Sequence, residues 1–109
     1  MPFEIMFTEG PEKGRKSILR PNQGTILGRS PSANVMVHDQ NVSRNHCVIR
    51  VEDDHCVIED LGSTNGTYVN GQRTVESELR PGDFVRIGVN RFQLLGESQL
   101  ISTDTTQTL

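Results

Sequence analysis

Turn signals punctuate this sequence so closely that no window of about eleven residues carries a convincing 3.6-residue apolar period. The runs between the turns are short. Cys47, Ile49 and Val51 alternate with His46, Val48 and Arg50, and after Asp53-Asp54 the alternation resumes at Cys56 and Ile58, which predicts a hairpin. Further short extended runs fall at Phe3–Thr8, Arg15–Arg20, Thr25–Leu27, Val35–Val37, Thr67–Val69, Phe84–Ile87 and Arg91–Leu95, with one extended piece from Gly71 to Leu79. Gly, Pro, Asn or Asp bounds most of them, and this pattern predicts an all-β sandwich or barrel. With 109 residues the chain has room for one core. We place the domain over residues 1–97 and expect the Ser/Thr-rich stretch 98–109 to be a disordered tail.

The segment Asp60 to Gly71 presents polar groups around very little core. Ser63, Thr64 and Asn65 set two hydroxyls and an amide side by side, and Gly66 permits the positive φ of a tight turn. Asn70-Gly71, after Thr67-Tyr68-Val69, is the strongest short hairpin signal. A formal net charge of -3 argues against nucleic acid as a partner, because a basic domain would be expected. No apolar run approaches a membrane span, and Met1-Pro2-Phe3-Glu4 lacks the start of a signal peptide. With two cysteines and no such signal, a cytoplasmic protein with reduced thiols is expected.

Three loops stand out: Gly28-Arg29-Ser30, Asn41-Val42-Ser43-Arg44-Asn45-His46 and Gly62-Ser63-Thr64-Asn65-Gly66. They supply two guanidiniums, several hydroxyls and an amide, without a paired general acid and base. Gathered together, they suit a dianionic tetrahedral group: arginine gives forked donors, hydroxyls short ones, and loop N–H groups complete a cradle.

Four segments in order, Gly28-Arg29, Ser43-x-x-His46, Asp60-x-x-Ser63-x-Asn65-Gly66-Thr67-x-Val69-Asn70-Gly71 and Leu79-x-x-Gly82-Asp83-x-x-x-Ile87-Gly88, resemble the forkhead-associated (FHA) domain, a phosphothreonine-peptide reader. The resemblance covers roughly Lys16 to Leu95. It implies a β-sandwich of about eleven short strands with the binding loops at one end. It also implies Arg29 and Ser43 as phosphate donors, Arg44 as a second charge, Thr64 as another phosphate-side donor, and Asn65 as the residue holding the ligand main chain. Gly28, His46 and Gly66 match loop-shaping positions, while Asn41, Val89 and Asn90 are candidates for reading the third residue after the phosphothreonine. The implied partner is a phosphothreonine-bearing protein or peptide, such as a Ser/Thr kinase or its substrate, in kinase-dependent signalling; no cofactor, nucleic acid or membrane is called for. Thr105 and Thr106 in the tail are candidate phosphoacceptors.

Taken alone, each residue has a plainer reading: Arg29 as an exposed loop arginine, Ser43 as a turn cap. A phosphate-independent interaction domain is the alternative function. A serine hydrolase built on Ser43, His46 and Asp60 is a weaker one, since Ser43 sits in no nucleophile elbow. His38, His46, His55, Cys47 and Cys56 invite a metal site, but alternation puts Cys47 and His46 on opposite faces and no C-x-x-C pair exists, so no metal is expected. A two-residue turn at Asp53-Asp54 pairs Val51 with Cys56 and Ile49 with Ile58. It leaves Cys47 about 13 Å along the strand from Val51, at about 3.3 Å per residue, too far from Cys56 for a disulfide. Both thiols therefore read as small buried apolar residues.

Overall fold

The computed structural model describes residues 3–96; the tail expected to be disordered, with Thr105 and Thr106, lies outside the described residues. Eleven strands form: β1 (Phe3–Glu9), β2 (Lys16–Leu19), β3 (Gly24–Gly28), β4 (Val35–Met36), β5 (Cys47–Glu52), β6 (His55–Asp60), β7 (Thr67–Val69), β8 (Gln72–Thr74), β9 (Glu76–Leu79), β10 (Phe84–Ile87) and β11 (Asn90–Leu95). They make a six-stranded sheet in the order β2-β1-β11-β10-β7-β8 and a five-stranded sheet in the order β4-β3-β5-β6-β9. The β3–β4 pair is parallel, at Leu27↔Val35 and Gly28↔Met36. No helix is long and apolar enough to cross a membrane among the described residues.

The β5–β6 hairpin has the register that its alternation predicts, Val51↔Cys56 and Ile49↔Ile58, with Glu52↔His55 closing the turn. Inward residues of the two sheets meet in one core. Phe7 and Phe92 lie opposite each other across β1 and β11, and their rings pack 5.4 Å apart at 57°. Ile5, Val85, Ile87 and Leu94 fill the same sheet's inner face, against Leu27, Cys47, Ile49, Cys56, Ile58 and Leu79 from the other. Both cysteines are free and buried. Burial pushes the Cys47 thiol up to about 12, helped by the charge of Asp60, and the Cys56 thiol up to about 11.

One stretch differs from the sequence reading. The extended piece before Leu79 is two strands: β8 joins the six-stranded sheet and β9 the five-stranded one, with Val75, 77% exposed, between them. In β2 the phase is set by Leu19, buried opposite Phe3, which turns Ile18 outward to 65% exposure. As predicted, Asn70-Gly71 forms a hairpin turn: both residues have positive φ, 50° and 87°, the requirement of a type I′ turn.

Candidate functional site

His46 is the residue on which the loops converge. It is fully buried, and all its hydrogen-bonding groups are used. Its N–H donates to Leu27 O at the end of β3, and its carbonyl accepts from Leu61 N–H just past β6. Its ring Nδ1 lies 3.1 Å from the Ser43 N–H, and Nε2 lies 2.8 Å from Gly66 O. The first partner is a donor and the second an acceptor, so the ring is assigned neutral with its proton on Nε2. One side chain thereby ties the 37–46 loop to the 61–66 loop.

Main-chain bonds complete the frame. Arg29 N–H donates to Ser43 O, Ser30 N–H to Arg44 O, and Val37 N–H to Gly28 O. A Cβ on Gly28 would sit 1.9 Å from Arg44 O, so this close approach admits only glycine. Thr64 N–H donates to Ser43 Oγ at 3.1 Å, and Asn65 Nδ2 donates to Asn41 O at 3.0 Å. The Ser43 hydroxyl, accepting that bond, keeps its own proton available to donate.

Arg29 is exposed, and its Nε donates to Val42 O, which leaves the outer guanidinium nitrogens to solvent. Neither Arg29 nor Arg44 pairs with a carboxylate among the described residues, whereas Arg15, Arg50, Arg80, Arg86 and Arg91 each do. The five predicted contact residues are thus gathered at one end of the sandwich. Gly28, His46 and Gly66 stand behind them, all buried.

Two aspartates build the loops from within. Asp60 Oδ1 accepts from Ser63 Oγ and Thr67 Oγ1, and Oδ2 from the N–H groups of Gly62 and Ser63; Ser63 Oγ in turn accepts from Gly66 N–H. Burial works to raise the Asp60 pKa, but the bonds from Ser63, Thr67 and Gly62 outweigh it and hold the carboxyl below its ordinary value. Asp39 accepts from Asn41 N–H through Oδ1, and from Val89 N–H and Asn90 Nδ2 through Oδ2, so it fastens the β10–β11 turn to the 37–46 loop. The sequence reading passed over Asp39; its only local signal is an Asx turn onto Asn41.

Asn90 is not at the surface. It is fully buried, with its amide nitrogen on Asp39 and its Oδ1 aimed at Gly10, so it shapes the turn rather than facing a ligand. Val89, 49% exposed, and the exposed Asn41 remain at that corner. A hydrolase arrangement is not formed: His46 Nε2 faces Gly66 O, Nδ1 faces the Ser43 amide and not its hydroxyl, and Asp60 is spent on the 61–67 segment.

The family model described as FHA domain matches residues 25–88. The chain is 35% identical to the oxoglutarate dehydrogenase inhibitor of Corynebacterium jeikeium, over 87% of this chain and 65% of that protein. It is also 35% identical to the glycogen accumulation regulator GarA of Mycobacterium tuberculosis, over 84% of this chain and 56% of the relative. The chain therefore spans less than two thirds of the length of these relatives. An FHA domain solved in an analysis of phosphothreonine-dependent FHA domain interactions superposes with a TM-score of 0.82 at 32% identity, covering 89% of this chain and 98% of the other.

Proposed function

Because the chain belongs to the FHA domain family, we propose that it is a non-enzymatic phosphothreonine-peptide reader in kinase-dependent signalling, acting in the cytoplasm on a phosphorylated kinase or kinase substrate. One observation carries this reading: Arg29 and Arg44, neither paired with a carboxylate among the described residues, lie on main chain bonded to or adjoining Ser43, whose hydroxyl a neighbouring loop amide has already oriented. A phosphate of about -1.5 to -2 charge docks on Arg29, Ser43 and Thr64, with Arg44 adding attraction. Asn65, its Nδ2 on Asn41 O, offers its Oδ1 to a ligand N–H. Each charge-assisted bond is worth about 1.5–3 kcal/mol, and ordering a flexible peptide offsets several kcal/mol of that. Affinity on the order of micromolar follows.

Prior assembly of the frame supports the mechanism. His46, Asp60 and the bonds between the 29–30 and 43–44 main chains fix the donors before any ligand arrives, so little ordering is required of the protein. The test is calorimetric titration with a phosphothreonine peptide selected from a degenerate library, and with the same peptide unphosphorylated. Binding that requires the phosphate is expected. Equal binding of both peptides would overturn the reading in favour of a phosphate-independent interaction domain.

A further inference from the structure

The outer faces of the two sheets carry opposite charge imbalances. On the six-stranded sheet, Glu9, Arg91, Arg86, Tyr68 and Arg73 stand in one cross-strand row, through the pairings Glu9↔Arg91, Arg86↔Arg91, Arg86↔Tyr68 and Tyr68↔Arg73. Arg86 and Arg91 are directly opposite, which costs stability between like charges. A single carboxylate, Glu9, serves both, at 3.3 Å and 3.4 Å. Arg73 is exposed and has no carboxylate partner among the described residues. Arg91 also lies over the Phe84 ring, 4.3 Å from its centroid, and with Tyr68 and Arg86 these groups border a hollow of about 350 Å³.

On the outer face of the five-stranded sheet the ratio is inverted. One guanidinium, Arg50, serves three carboxylates, Glu52, Glu59 and Glu76, at 3.3, 2.7 and 3.0 Å. Glu78 stands beside them, in the row of Arg50 and Val57, with His55 at 3.1 Å and Arg80 at 3.6 Å, so four carboxylates share two guanidiniums and one imidazole. Each face also leaves apolar side chains half-covered: Met6 and Phe84 on the first, Val48 and Val57 on the second.

We propose that the chain stacks face to back on a second copy of itself, the arginine row of one molecule seated on the glutamate cluster of the next. Arginine forks take carboxylates two-pronged, so the two excesses are complementary in sign and in donor and acceptor type. Individual exposed ion pairs contribute little, and salt screens them, so the association is weak and ionic-strength dependent. The contact joins two different faces, so repetition gives an open stack and not a closed dimer. Sheets pack about 10 Å apart, so successive copies repeat at about 20 Å. The loops around His46 lie at the end of the sandwich, touched by the row only where Arg73 lies against Gly66; stacking on Arg86 and Arg91 therefore sets neighbouring copies of that site side by side and favours ligands that engage two of them at once. None of this depends on what the loops bind.

Sedimentation of the full chain, without peptide, tests the proposal. At about 10 mM ionic strength, where the screening length is about 30 Å, mass should rise with concentration above the 12.2 kDa monomer. At about 1 M, where that length is about 3 Å, it should return to the monomer value. The double variants Arg86→Gln/Arg91→Gln and Glu59→Gln/Glu76→Gln should each sediment as monomers with wild-type circular dichroism. Mixed in equal amounts, they should form a complex of two chains and nothing larger, because one complementary pair of faces survives. If a double variant fails to fold, Arg73→Glu, at an exposed residue, should weaken wild-type association in the same sense. A wild-type chain that is monomeric at low salt, association undiminished in Arg73→Glu or in a folded double variant, or a mixture that stays monomeric would each overturn the proposal. So would a monomer whose Arg86–Arg91 row binds poly-glutamate or anionic vesicles instead, since the face would then belong to another partner.

Discussion

Arg29 and His46 are joined through Ser43, yet substitution should separate their roles. Arg29→Ala removes a solvent-facing donor and should weaken phosphopeptide binding roughly ten- to a hundredfold, with the melting curve nearly unchanged. His46→Ala strands the Ser43 N–H and Gly66 carbonyl without partners, at about 1–3 kcal/mol each. It should lower the melting temperature by about 10 °C or more and reduce affinity as well. Arg44→Ala should reduce affinity alone. Calorimetry and thermal denaturation of the three variants check all of this, and a His46→Ala protein of undiminished stability would mean the two roles are reversed. Asp60 gives the pH dependence. Its folded carboxyl titrates below its ordinary value, taken as about 3.9 in the unfolded chain, so the unfolded state takes up protons first as pH falls. The stabilisation is complete above that value and is lost as pH drops through the folded pKa. Asp60→Asn should therefore be less stable at neutral pH and lose less than wild type on acidification; denaturant melts at about pH 6 and about pH 3 decide it. That these loops meet was legible only from four motifs in order, which carry the FHA resemblance; taken singly, Arg29 and Ser43 read as an exposed arginine and a turn cap. Asp39 was not legible, because its partners Val89 and Asn90 lie about fifty residues away in sequence. Asn90 misled because an amide beside a glycine turn reads as surface, while its position opens the inward phase of β11.

Glycines separate local turns from the joints between elements. Gly71 has φ 87° and open space where a Cβ would project, so Gly71→Ala strains only the β7–β8 turn, by about 1–2 kcal/mol. Its melting temperature should fall while phosphopeptide affinity stays. Gly28→Ala meets main chain at Arg44 and pushes the end of β3 away from the 43–45 segment. Affinity and stability should fall together, as titration and melting of the same sample would reveal. The β5–β6 register was readable because alternation and a two-residue turn leave one pairing that buries Ile49, Val51, Cys56 and Ile58 together. The break between β8 and β9 was not, because which sheet a short strand joins depends on its neighbours: β8 pairs with β7 and β9 with β6.

For the molecule as a whole, the buried thiols report opening of the sandwich. Cys47 and Cys56 lie on the inner face of the five-stranded sheet with their thiols pushed up to about 12 and about 11. Neither supplies much thiolate at neutral pH. Alkylation of the native protein should be slow and should accelerate with denaturant in step with loss of β-sheet signal; rapid labelling without unfolding would contradict the core described above. Turn density announced an all-β sandwich or barrel, and the FHA resemblance implied the sandwich, but neither gave the assignment of strands to sheets, which rests on contacts across the described residues. The pairing of the first and last described strands has a mechanical side. Glu4 lies opposite Leu95 and Glu9 opposite Arg91, so the polypeptide enters and leaves at one end of the same antiparallel pair, away from the His46 loops. A force applied at Phe3 and Gly96 would peel β1 from β11 one rung at a time instead of shearing all rungs together. Loaded through those two points, the described domain would open as a soft link, with the His46 loops at the end away from the load.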